Sequence, residues 1–153
     1  MEDFLLGLVT NKVLVSAAAS WFVAQCSKII LEGIKNGFSK ERLAGGGGMP
    51  SSHSATVLGL TTATAIQYGT HGFEFVIALF FAIIVMYDAR GVRYVTGREA
   101  AILNKLRARD EEEGREPLFD KALDDKMGHT IPEIIIGVLI GIVVGVVVCH
   151  LMP

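Results

Sequence analysis

The stretch Ile134-Ile135-Ile136-Gly137-Val138-Leu139-Ile140-Gly141-Ile142-Val143-Val144-Gly145-Val146-Val147-Val148-Cys149 contains no charged residue. With its flanks it predicts a helix from about Ile131 to Met152. At 1.5 Å per residue such a helix is about 30 Å long, the thickness of a bilayer's hydrocarbon core. A soluble helical bundle accommodates it poorly, because a helix that is apolar all round needs apolar surroundings on every side. Gly137, Gly141 and Gly145 recur every fourth residue and share one face. They form a smooth strip for another membrane helix, either inside the subunit or across a homodimer. His150, near the far end, is assigned no role.

The rest of the chain agrees with this reading. Its 153 residues are enough for one domain, and 51% of them are hydrophobic. The charges are segregated into polar segments, as in a small membrane protein. The expected fold class is all-α: an integral membrane helical bundle of about four transmembrane helices with a cytosolic helical loop. The helices fall at about 13–31, 52–68, 73–88 and 131–152, with a polar segment at 89–128, in a single membrane domain over 1–153. Residues 4–9 are a short apolar lead-in, and acidic Glu2 and Asp3 ahead of it do not resemble the basic start of a signal peptide. The two central helices are short for a full crossing, so their ends reach the interface or the helices tilt little. In the polar segment, residues 98–113 are good helix formers with a thin apolar stripe of Ile102, Leu103 and Leu106. Asp110 to Glu113 is a solvated helix end, because carboxylates adjacent in sequence do not converge on one face to bind a metal. Pro117 and the mixed charges to Lys126 suggest a mobile loop. Cys26 and Cys149 lie in apolar runs without metal-ligand spacing and are read as buried thiols. A net charge of −2 and the lack of a basic, aromatic-laced patch point away from nucleic acid.

Orientation follows from the basic residues. Lys35, Lys40 and Arg42 lie in the first large loop, and nine more lie between Arg90 and Lys126. The short turn at 69–73 has none. Both large loops are therefore expected on the cytosolic side and both termini outside, which puts His53 and His129 at one face of the membrane.

Two segments at that face suit chemistry. In Gly45-Gly46-Gly47-Gly48-Met49-Pro50-Ser51-Ser52-His53-Ser54, glycines bare the backbone N–H groups and Ser51 or Ser52 N-caps a helix. A helix start of this kind attracts phosphate, although a linker followed by a capped helix has the same composition. In Gly128-His129-Thr130-Ile131-Pro132-Glu133, Thr130 and Glu133 fit a capping box and Pro132 a first helical turn. If the helix starts near His129, then His129 and Glu133 share a face, and the carboxylate fixes the imidazole tautomer. Two histidines at a phosphate cradle divide the labour of phosphoryl transfer. One attacks phosphorus, and the other protonates the leaving oxygen. Lys28, near the end of the first membrane helix, is either a snorkelling lysine or a cation aimed at an anionic substrate.

Four motifs, in order along most of the chain, carry a resemblance. They are Gly-Gly-Met-Pro-Ser-Ser-His-Ser-Ala (Gly47 to Ala55), Tyr-Asp-Ala-Arg-Gly-Val-Arg (Tyr87 to Arg93), Leu-Asn-Lys (Leu103 to Lys105) and Gly-His-Thr-Ile-Pro-Glu (Gly128 to Glu133). With them the chain resembles the divergent membrane branch of the type 2 phosphatidic acid phosphatase and vanadium haloperoxidase superfamily. The superfamily's Pro-Ser-Gly-His motif matches Pro50-Ser51-Ser52-His53, with serine in place of glycine, and implies phosphate binding by Ser51 and acid catalysis by His53. Its Ser-Arg…His…Asp motif implies a nucleophile at His129 with Glu133 in place of aspartate. The motif's arginine falls on Leu123, and Arg93 is a candidate substitute. Lys35 and Arg42 have the spacing of its Lys…Arg-Pro motif, with Leu43 in place of proline, and Lys28 competes with Lys35 for the lysine's role.

The resemblance therefore implies a membrane phosphatase hydrolysing a lipid or isoprenoid phosphate through a phosphohistidine. His129 would be the nucleophile, Glu133 its orienting group and His53 the acid. Phosphate would be bound by Lys28, Gly47, Gly48, Ser51, Ser52 and Arg93, with Asp88 a candidate to orient Arg93. No metal or cofactor is required, the partners are membrane lipid and the phosphorylated substrate, and the location is a bacterial plasma membrane. The alternative is a non-catalytic protein of the same fold that binds lipid phosphates, or acts as a scaffold or transporter. For transport, the central helices offer mainly threonines.

Overall fold

The computed structural model describes residues 1–37 and 47–153, the side chains of Lys35 and Asn36 apart. Its described elements are the helices α1 (Glu2–Thr10), α2 (Lys12–Asn36), α3 (Ser52–Tyr68), α4 (Phe73–Arg90), α5 (Val92–Glu112) and α6 (Ile131–Leu151). The protein is an all-α membrane bundle. Among the described residues, three stretches are long and apolar enough to cross a bilayer, namely Lys12–Ile34, part of Phe73–Glu112, and Ile131–Leu151.

The fold is built around α3, which packs against α2, α4 and α6. At 17 residues it is shorter than the helices around it. Its buried residues are small: Ser54, Ala55, Val57, Gly59, Thr61, Ala63 and Thr64. Large apolar side chains such as Phe22, Phe80, Ile84, Leu139 and Val143 point outward instead. Lipid tails solvate a leucine as well as a protein core does, so burying large side chains gains little. Close backbone approach through small residues holds the helices together. The hydroxyls of α3 bond to its own carbonyls, Thr61 Oγ1 to Val57 O at 2.7 Å and Thr64 Oγ1 to Leu60 O at 2.8 Å. No hydroxyl of these two threonines is thus left unsatisfied in hydrocarbon.

The glycine strip of α6 is used within the subunit. A Cβ on Gly137 would strike Ser51 O, one on Gly141 would strike Ala55 O, and one on Gly145 would lie 3.0 Å from Thr62 Cβ. On this face α6 packs against α3. Cys149 is buried beside Ser16, with Sγ and Oγ 3.9 Å apart, whereas Cys26 is only half-buried.

Helix bounds differ from expectation in two places. α2 does not stop near Leu31 but continues to Asn36, because nothing breaks it before Gly37, which ends it at φ +75°. Lys28 therefore lies two turns inside the helix. After a bend at Gly91, the polar segment continues as α5 to Glu112. The loop after Pro117, expected to be mobile, is tied back to α5. Asn104 Nδ2 donates to Leu123 O and Leu123 N donates to Asn104 Oδ1, both at 2.9 Å, and Arg107 Nε donates to Phe119 O at 3.1 Å. The acidic run closes ion pairs with neighbouring arginines, Arg107 with Glu111 at 2.7 Å and Arg115 with Asp110 at 2.6 Å.

Candidate anion site

Two backbone hydrogen bonds bring the distant segments together. Ser51 N donates to Glu133 O at 3.0 Å, which ties the start of α3 to the first turn of α6. His129 N donates to Ala89 O at 2.9 Å, which ties the segment before α6 to the end of α4. Glycines make room for these crossings. Gly128 (φ +80°) lies against the backbone of Arg93 and Tyr94, where a side chain would collide. Gly47 lies against the carbonyl of Lys126 in the same way. As a result the rings of His53 and His129, 76 positions apart in the chain, have centroids 6.0 Å apart and planes tilted by 58°.

The surroundings of His129 are unusual. The residue is 2% exposed, and neither ring nitrogen has a hydrogen-bond partner among the described residues. Glu133 Oε2 accepts from Thr130 N at 2.8 Å, as the capping reading requires. The same oxygen lies 3.5 Å from His129 Nδ1, a charge contact too long for a good hydrogen bond. One carboxylate thus caps the helix and faces the imidazole. Burial holds the pKa of His129 below its ordinary value of 6.5; Glu133 opposes that shift, while the charges on His53 and Lys28 add to it. The ring is therefore neutral at pH 7.

The predicted phosphate ligands divide into separate groups. Ser51 is fully buried and serves as the N-cap of α3, its Oγ accepting from Ser54 N at 3.3 Å and Ser54 Oγ at 3.0 Å. Ser52 and His53 follow in the first turn and line a cavity of 430 Å³, together with Lys28, Gln25 and Thr56. His53 faces both the cavity and His129. Lys28 is 4% exposed, so it does not snorkel to the surface; it is buried close to Glu32 and Glu133, whose charges oppose its own. Gly48 (φ +95°) sits directly against Glu32 and Lys28.

Arg93 and Asp88 stand apart from this buried group. Arg93 Nε donates to Asp88 Oδ2 at 2.9 Å, and each side chain is 47% exposed. Both charges still lie near enough to act on His53. An exposed pair of this kind contributes about 1 kcal/mol or less. Asp88→Asn is expected to leave the thermal unfolding of the detergent-solubilised protein within about that margin. Leu123, at the place of the superfamily's arginine, is held by Asn104 and brings no charge. Lys40, Arg42, Leu43, Gly45 and Gly46 lie outside the described residues, as does the side chain of Lys35. Among the described residues no three His, Cys, Asp or Glu side chains converge as a metal would need.

Glu32 belongs to no motif of the resemblance, yet it lies beside Lys28 and Gly48. The signal was present as Lys28 and Glu32 four apart on one helix, a spacing that brings opposite charges together. Gln25 and Thr56 also enter the cavity, and nothing in their local sequence marks them, since only the packing of α2 on α3 brings them face to face.

Comparison with known proteins places this geometry in context. A family model described as the Divergent PAP2 family matches residues 9–144. An uncharacterized membrane protein of Bacillus subtilis (strain 168), YuiD, is 34% identical over 140 residues, covering 85% of this chain and 89% of that protein. No solved structure matches the chain.

Proposed function

This chain belongs to the Divergent PAP2 family, and on that premise we propose that it is a membrane phosphatase acting on a lipid or isoprenoid phosphate through a phosphohistidine. The observation that carries this reading is the 6.0 Å approach of two histidine rings, one of them buried with no hydrogen bond to either ring nitrogen among the described residues, beside a buried lysine. A buried imidazole without partners costs stability unless a ligand completes it.

In this mechanism Glu133 faces Nδ1–H of His129 and leaves Nε2 as the nucleophile. Nε2 attacks phosphorus as the bond from phosphorus to the leaving oxygen breaks. Protonated His53 gives its proton to that oxygen, releasing the lipid alcohol. Water then attacks the phosphohistidine, His53 takes a proton from it, and phosphate leaves. Lys28 and the Ser52 hydroxyl hold the equatorial oxygens, with Arg93 as an outer cation. Ser51 supports the site as a helix cap. The first test is phosphate release from dioleoyl phosphatidate and farnesyl phosphate by the purified protein. Turnover of neither ends the proposal.

The basic residues of the polar segments support a site at the cytosolic face of a plasma membrane. Cysteine accessibility at Lys105→Cys in intact cells tests the orientation, and labelling by an impermeant reagent from outside refutes it.

The acid limb of the pH profile follows from His129, whose neutral form is the nucleophile. kcat/KM is expected to fall, at a pH below 6.5, as His129 takes up its proton. Stability moves in the same direction. The unfolded chain binds a proton near pH 6.5 and the native site binds it only at lower pH. Stability present above pH 6.5 is thus lost on acidification until the native pKa is passed.

A non-catalytic lipid-phosphate binder is the second reading. It is favoured by Leu123 in the arginine's place and by the use of the Ser51 hydroxyl as a helix cap. It predicts saturable phosphate binding without turnover.

A further inference from the structure

The cavity that receives Lys28, Ser52 and His53 is not confined to them. α2 and α4 both pack on α3 but make little contact with each other, so a cleft opens between them with α3 as its floor. Trp21, Phe81 and Val85 continue the lining away from the charged end, and Trp21 and Phe81 are half-exposed at the cleft's mouth. From Lys28 to Trp21 the cleft descends seven residues of α2, about 10 Å toward the middle of the bilayer. Between its charged head and its apolar foot lie two neutral polar groups, Gln25 and Thr56. The Thr56 hydroxyl donates to Ser52 O at 2.7 Å.

This sequence of groups reads as a ligand in outline. A cation, a hydroxyl and an imidazole suit a phosphate. An amide one turn deeper suits a carbonyl acceptor, and the aromatic and aliphatic foot suits hydrocarbon. An all-hydrocarbon chain would leave the Gln25 amide facing methylene groups, at the cost of an unmet polar group. An acyl ester supplies the acceptor at that depth. We propose that the cleft between α2 and α4 admits, sideways from the bilayer, one ester-linked acyl chain of the phosphorylated lipid, whose carbonyl accepts from Gln25 while its phosphate lies at His53. This rests on the site proposed above and adds a route of entry and a choice of chain.

The chain's one tryptophan lies in the cleft, so its fluorescence reports the occupant. The full-length protein is placed in phosphatidylcholine vesicles carrying equal mole fractions of either brominated phosphatidate or brominated phosphatidylcholine. Trp21 is expected to be quenched more by the phosphatidate. Val85→Phe, which fills the cleft, should remove the excess, and Ile84→Phe, on the exposed face of α4 outside the cleft, should keep it. The diacyl lipid should reach half-maximal quenching at a severalfold lower mole fraction than its dialkyl ether analogue, and Gln25→Leu should erase that difference. Equal quenching by the two headgroups, or an excess that survives Val85→Phe, overturns the cleft. Equal affinity for ester and ether overturns the assignment of Gln25. Selective quenching without any phosphate release upholds the cleft and ends the phosphatase reading. Phosphate release with no selective quenching does the reverse.

Discussion

His129→Ala is expected to lower phosphate release from a lipid phosphate by at least about 10³-fold, the size of effect that follows loss of a nucleophile. His53→Ala should cost about 10²- to 10⁴-fold on the same substrate, the usual contribution of a general acid. The two variants separate on a substrate whose leaving group needs no proton. With para-nitrophenyl phosphate, His53→Ala should recover the first step, read as a burst of para-nitrophenolate, while His129→Ala gives no burst. A phosphohistidine should accumulate in His53→Ala on that substrate, because the second step has lost its base. Glu133→Gln tests the double use of the carboxylate. Glutamine still accepts from Thr130 N and keeps the cap, so the fold holds. The charge facing Nδ1 at 3.5 Å is lost, and the rate should fall about 10²-fold. The measurement is steady-state phosphate release by purified variants whose unfolding midpoints match the wild type. Turnover that persists in His129→Ala would remove the nucleophile from the scheme.

The sequence made the helices legible because lipid imposes a simple rule: a backbone in hydrocarbon must satisfy its own hydrogen bonds. Ile131–Leu151 and Ser52–Tyr68 fall at the expected positions within a residue or so. The capping pattern at Thr130 and Glu133 was equally readable, since its parts are local. Less legible were features that depend on which helices touch. The glycine strip of α6 was equally consistent with a second subunit, and only the seating of Ser51 and Ala55 against Gly137 and Gly141 assigns it to the interior. Ser51 matched a phosphate-binding motif, yet its hydroxyl turns inward to cap α3, and Ser52 takes the place at the cavity. The choice between two adjacent serines depends on where the helix begins, which motif matching does not resolve to a single residue. Lys28 was ambiguous for a related reason. Its role as a buried cation depends on α2 continuing past it and on Glu32 one turn later, an arrangement that hydropathy alone reads as a helix end.

Gly137→Val is expected to damage stability and activity together, because one contact serves both. Gly137 is buried where the α6 backbone crosses the Ser51 carbonyl, and an added Cβ would overlap that oxygen and lie 3.0 Å from Ser54 Cβ. Neither neighbour yields easily: Ser51 is fixed by its N–H to Glu133 O at 3.0 Å, and Ser54 by its bonds to the Ser51 hydroxyl. Overpacking at such a crossing costs about 1–3 kcal/mol. The same displacement pushes the start of α3 from α6, so His53 moves away from His129. A misplacement of about 1 Å between reacting groups costs about 10²-fold in rate. Gly145→Ala is the control. Its Cβ would meet Thr62 Cβ at 3.0 Å, several turns of α6 away from the histidines. It should lower the unfolding midpoint in detergent while leaving kcat/KM per folded molecule near the wild-type value. If Gly137→Val proves as active per folded molecule as Gly145→Ala, the crossing at Ser51 does not set the spacing of the two rings, and the bond of His129 N to Ala89 O, which ties His129 to α4, fixes its position instead.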